Sequence, residues 1–90
     1  MIGIVTVYGH YTEGHNGQPG CQTDEEILKT NWRNNFDSSV YWVCERKNVT
    51  AVQATCDQEQ LFYPPKRNCV PFNEWQHLPL EDPPSLAINT

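Results

Sequence analysis

Four kinds of side chain in this sequence could do chemistry. They are cysteines at 21, 44, 56 and 69, histidines at 10, 15 and 77, adjacent acids such as Asp24-Glu25 and Glu81-Asp82, and the rings of three Trp, four Tyr and three Phe. The cysteine spacings contain no Cys-x-x-Cys knuckle of the kind that grips zinc. An even cysteine count in a short acidic chain with one Met reads instead as a disulfide framework in an oxidising space. Four cysteines allow three pairings. His10 and His15 lie in a glycine-rich stretch far from His77, so no metal site is expected. Asp24-Glu25 falls at a helix start and Glu81-Asp82 in a proline-rich segment, where solvation accounts for each pair better than a glycosidase dyad. In 90 residues there is little room for a closed substrate cleft, and the chain reads as a non-enzyme without a cofactor.

The rings point elsewhere. Ten aromatic side chains exceed what one small core hides, so some must face solvent. A CH-rich sugar face laid on such a ring removes apolar area from water at about 25 cal/mol per Å². Exposed rings flanked by amides or carboxylates are therefore suited to neutral polysaccharide. Six basic against eleven acidic residues give a net charge of -5, the wrong sign for a phosphate backbone or an anionic membrane, so nucleic acid is not an expected partner. No apolar run approaches the roughly 20 residues that span a bilayer. Residues 1–11 lack a basic n-region and are too short for a secretory h-region, so the expectation is a mature or recombinant chain with any export signal absent.

These residues must be positioned by short elements. Residues 1–11 alternate loosely and predict an edge strand, open to self-association by edge pairing. Residues 9–20 hold four of the five glycines and predict a flexible loop. Thr23 and Glu26 have capping-box spacing, and Ile27, Leu28 and Trp32 follow at helical intervals, predicting a helix over 24–34. Residues 40–44 and 49–56 are β-rich runs joined by Glu45-Arg46-Lys47-Asn48, a hairpin signal. Leu61-Phe62-Tyr63 is a third run stopped by Pro64-Pro65, with residues 68–72 available to pair back. The segment after Trp75 is rich in proline and lacks periodicity, predicting an extended or disordered tail. Alternation along the hairpin puts Trp42 and Cys44 on one face and Tyr41 and Val43 on the other, so Trp42 is the expected buried ring and Tyr41 the exposed one. The expected fold is small, disulfide-rich and mainly β: an antiparallel hairpin or three-stranded sheet, a short second hairpin and one short helix. It divides into an edge strand and loop (1–20), a stapled domain (21–76) and a tail (77–90). Asn48-Val49-Thr50 is a glycosylation acceptor triplet that agrees with secretion.

Residues 37–69 resemble the peritrophin-A type of chitin-binding domain, the family-14 carbohydrate-binding modules. That family reads Asp-Cys-Ser-x-Tyr-Tyr-x-Cys, then after a gap Cys-Pro-x-Gly-x-x-Phe-Asn-Pro and a further Cys. Asp37, Ser39, Tyr41 and Cys44 fall on the first block, with Trp42 at its second aromatic. Cys56, Phe62, Pro64 and Cys69 fall on the second, and Cys21 stands as the first cysteine. Ser38 replaces the family's second cysteine and no cysteine follows Cys69. Those two are partners in the family, so their joint loss leaves no orphan thiol. The resemblance thus implies Cys21–Cys44 and Cys56–Cys69 bonds. Asp57, Glu59 and Tyr63 depart from the family's Pro, Gly and Asn, and a helix over 24–34 is not a family feature. What it implies is non-catalytic binding of chitin or N-acetylglucosamine oligomers outside the cell. The implied contacts are Phe62 and Tyr63 on the family's binding strand. To these the ring pattern adds Tyr41 and Trp75, with Asp57 and Asn68 as partners for hydroxyl or N-acetyl groups. The alternative expectation is a secreted protein-interaction module on the same scaffold with a degenerate sugar site.

Overall fold

Thr23 opens the first regular element, and the computed structural model, which describes residues 16–80 and 82–87, gives its cap in full. The Thr23 hydroxyl accepts the Glu26 N–H at 3.1 Å, and Glu26 Oε1 accepts the Thr23 N–H at 3.1 Å, so two of the helix's orphan donors are satisfied. Helix α1 runs over Asp24–Lys29. It ends at Thr30, whose φ of 68° breaks the spiral, and not at residue 34. Sheet pairing outcompetes the last helical turn: Cys44 donates its N–H to Thr30 O at 2.8 Å, drawing the chain alongside the hairpin. Residues Asn31–Arg33 become strand β1. Trp32 consequently leaves the expected helical stripe, and Leu28 is left 87% exposed.

The remaining elements are β2 (Val40–Val43), β3 (Val52–Thr55), β4 (Gln60–Tyr63), a 3-10 turn (Pro64–Lys66), β5 (Asn68–Pro71) and a second 3-10 turn (Phe72–Glu74). Strands β1, β2 and β3 form one antiparallel sheet in that order, and β4 with β5 forms a second. The expected mainly-β architecture is therefore present, with both disulfides closed: Cys21–Cys44 and Cys56–Cys69. These are the pairs that the resemblance implies.

Register assigns the two faces of the larger sheet. Trp32 lies opposite Trp42, and both are buried with Cys21, Cys44 and Ala51 in a core against which Ile27 packs. Arg33, Tyr41 and Ala54 are aligned on the other face. There the Tyr41 ring stacks on Phe62, centroids 5.1 Å apart and planes 17° from parallel, an arrangement worth about 0.5–1.5 kcal/mol beyond area burial. Phe62 N–H to Ser38 O at 2.8 Å joins the second hairpin to the segment before β2, and Cys56 N–H to Ser39 O, also 2.8 Å, extends the β2–β3 ladder by one rung. The β2–β3 strands are shorter than expected, because the register ends at Val43 opposite Val52. Cys44 is committed to Cys21 and Thr30, and Asn48 donates its N–H to Cys21 O at 2.7 Å. Residues 44–51 thus fold back over the core as a longer connection, burying Ala51.

Residues 16–20 and 85–87 pack against the stapled core and against each other. Gly17 is buried at φ 86°, where a Cβ would stand 2.7 Å from Arg33 O, a position that demands glycine. Asn16 O accepts from Asn35 N at 2.8 Å, so residues 16–20 are held rather than loose. The C-terminal segment, expected to be extended or disordered, is docked. Pro19 bridges Leu86, Gly20 N–H reaches Ser85 O at 2.9 Å, and Ala87 N–H reaches Gln18 O at 3.3 Å. The fully buried Glu26 carboxylate accepts from Ser85 N at 2.9 Å and from Ser85 Oγ at 2.6 Å. The edge strand expected over 1–11 lies outside the described residues.

Candidate functional site

The second hairpin sorts the expected ligand-binding side chains. In an antiparallel pair, residues directly opposite share a face. Phe62 therefore sits with Cys69, and Tyr63 with Asn68. The Phe62 face turns inward: its ring is 2% exposed, sealed beneath Tyr41 and the Cys56–Cys69 bond. Phe62 is thus a core ring, not the surface contact expected from the binding strand, because stacking on Tyr41 removes both rings from competition with water. Tyr41 is correspondingly half-buried instead of exposed.

Tyr63 and Asn68 take the other face at the turn end of the hairpin, Tyr63 half-buried and Asn68 exposed. Asn68 Oδ1 accepts the Cys69 N–H at 2.9 Å, which fixes the amide plane. Trp75 joins them from the segment after β5. Its indole Nε1–H donates to Phe62 O at 2.9 Å, so the half-buried ring is pinned beside the residue adjoining Tyr63. Backbone groups alternate sides along a strand, and Phe62 N–H already reaches Ser38 O on the side away from β5. Trp75 therefore caps the outer edge of β4. The His77 ring meets Trp75 edge-on at 6.3 Å.

Asp57 is not part of this group. It is exposed and precedes β4 at the opposite end, where its carbonyl closes the turn to Gln60 N–H at 3.2 Å. In that turn Glu59 adopts φ 63°, a left-handed conformation where glycine is at ease. Asp37 is occupied locally. Ser39 donates to its carboxylate from Oγ at 2.6 Å and from N at 2.9 Å, and these bonds, the side-chain one foremost, hold the carboxyl below its ordinary value. Its role is to open β2.

Two features escaped sequence reasoning. Phe72 is 56% exposed and its carbonyl accepts the Trp75 N–H at 3.2 Å; the same signal that nominated Trp75, a ring in a polar segment, would have found it. A largely apolar groove of about 330 Å³ opens beyond Tyr63, lined by Arg33, Pro64, Pro65, Arg67, Leu78 and Pro79. Arg33 Nη1 spans its floor to Leu78 O and Pro79 O at 3.2 and 2.8 Å. The Arg67 guanidinium lies 4.4 Å from the Trp32 ring centroid while Nη1 donates to Asn31 O at 3.2 Å. Nothing local in the sequence links these residues.

Among the described residues no group of three or more His, Cys, Asp or Glu could hold a metal ion, and no helix is long and apolar enough to cross a membrane. Comparison with known proteins gives no match to any family model, curated protein or solved structure. Two disulfides in so small a domain suit an oxidising, extracellular setting.

Proposed function

We propose that this domain is a non-catalytic binding module for chitin or N-acetylglucosamine oligomers, acting outside the cell. The observation that carries the reading is the cross-strand pair of Tyr63 and Asn68 with Trp75 anchored beside it. Rings offer a face to the CH side of a pyranose, and a fixed amide offers a partner for an acetamido or hydroxyl group. Further support comes from Glu59, whose left-handed backbone stands where the family pattern places glycine. The hydrogen bonds Trp75–Phe62 and Phe62–Ser38 also tie together the segments on either side of the family's absent third disulfide.

The test is retention on insoluble chitin. Covering about 60 Å² of ring at about 25 cal/mol per Å² gives roughly 1.5 kcal/mol, so Tyr63→Ala is expected to weaken binding about tenfold. Phe72→Ala reports on the added ring, and Asn68→Ala on the amide. Wild-type protein that passes through chitin without retention overturns the reading.

One observation favours a second reading. Cys56 N–H points to Ser39 O, so by alternation Thr55 and Gln53 turn their backbone groups outward. The β3 edge, Val52-Gln53-Ala54-Thr55, carries neither charge nor proline to guard it. Strand addition by a protein partner, including a second copy, fits that edge. Mass that rises with concentration in light scattering, lost in Gln53→Pro, together with indifference to chitin, would select this reading.

A further inference from the structure

A second groove, of about 300 Å³, is lined by Gln18, Pro19, Gly20, Gln22, Asn48, Thr50 and Ala87. Its lining bears no charged side chain, and it lies along the seam where residues 85–87 dock on 18–20. Asn48-Val49-Thr50 is the chain's one acceptor triplet for N-glycosylation, and both Asn48 and Thr50 are exposed. The backbone of Asn48 is anchored at φ 65° by its N–H bond to Cys21 O. Its side-chain amide has no hydrogen-bond partner among the described residues. At about 300 Å³ the groove has room for one pyranose ring with its acetamido arm.

We infer that Asn48 is an N-glycan acceptor and that the innermost N-acetylglucosamine lies in this groove, covering the docked C-terminal segment. In the transfer, Asn48 Nδ2 bonds to the anomeric carbon of an oligosaccharide carried on a lipid pyrophosphate. The carbon–oxygen bond to pyrophosphate breaks, the lipid pyrophosphate departs with the bonding pair, and Nδ2 gives up one proton. The sugar's hydroxyl and acetamido groups then meet the Gln18 and Gln22 amides. None of this depends on whether the domain holds chitin.

The test is secretion from a eukaryotic cell that performs N-glycosylation, followed by intact mass before and after enzymatic deglycosylation. The wild type is expected to carry one glycan, released with conversion of Asn48 to aspartate. Thr50→Ser keeps it, while Thr50→Ala and Asn48→Gln lose it. Wild-type protein that is secreted and folded but unmodified overturns the assignment, as does a glycan that survives Thr50→Ala. Seating in the groove is read by hydrogen exchange at the Gly20 and Ala87 amides, which bond across the seam. Exchange several-fold slower in the glycosylated form than in the deglycosylated one is expected, and equal rates overturn the seating.

Discussion

Glu26→Gln separates two tasks performed by one buried carboxylate. Oε1 accepts from Gln22 N, Thr23 N and Ser85 Oγ, while Oε2 accepts from Ser85 N. Glutamine also fits a capping box, so its carbonyl can take the place of Oε1 and keep the helix start. Its NH₂ then faces the Ser85 N–H, donor against donor. A charge-assisted bond of about 1.5–3 kcal/mol is lost, and a loss of about 2 kcal/mol corresponds to roughly 8–16 °C in Tm for a domain of this size. The effect is also pH-dependent. Burial pushes the Glu26 carboxyl up, but bonds from the Ser85 side chain and from the Ser85, Gln22 and Thr23 backbones together outweigh it, holding the group below its ordinary value of 4.5. A depressed folded value means that the unfolded chain binds the proton more readily. The stabilisation is therefore complete above that ordinary value of 4.5 and is lost as pH falls through the folded one. Thermal melts of wild type and variant at pH 7 and pH 3 are the assay, with Ser85→Ala closing a double-mutant cycle. The expected gap between wild type and variant is wide at pH 7 and narrows in acid. A cost at pH 7 under about 0.5 kcal/mol, the range of an ordinary surface change, a gap unchanged at pH 3, or effects that simply add would refute the reasoning.

Three other outcomes follow from the same coordinates. Replacing Cys56 and Cys69 together by serine removes a bond of sequence separation 13, and denaturant melts should give a loss of about 3 kcal/mol from loop entropy, with the Cys21–Cys44 pair, separation 23, costing slightly more. Glu59→Gly relieves a left-handed backbone and should raise stability by about 0.5–1 kcal/mol, read in the same melts, whereas a loss would show that the Glu59 side chain matters more than its φ. Arg67→Ala removes the guanidinium stacked on Trp32 and its bond to Asn31 O, so a cost of about 1–2 kcal/mol and altered tryptophan fluorescence are expected as the second hairpin loosens from β1.

Local signals were legible and long-range ones were not. The capping box at Thr23, the β-rich runs about residues 40–44 and 49–56, and the pairing of residues 61–63 with 68–72 can all be read from neighbours within a few positions. Thr30 has no breaker chemistry of its own. The helix stops there because Cys44, fourteen positions on by numbering, claims its carbonyl. Alternation correctly placed Trp42 inward, but it could not say that the opposite face would also be covered, since Tyr41 is met by Phe62 of another sheet. For the candidate surface, alternation alone separates Phe62 from Tyr63, but it does not say which of the two faces inward, and that is decided by the Tyr41 ring stacked on Phe62. A proline-rich tail without period gives no hint of docking, because one serine captured by one buried carboxylate leaves no repeating trace.

The antiparallel bridge between Pro19 and Leu86 makes the two ends of the described fold neighbours, running side by side like the legs of a stem. A unit closed at its base in this way can be grafted into an exposed loop of an unrelated host, or threaded among tandem copies, without prying its interior apart.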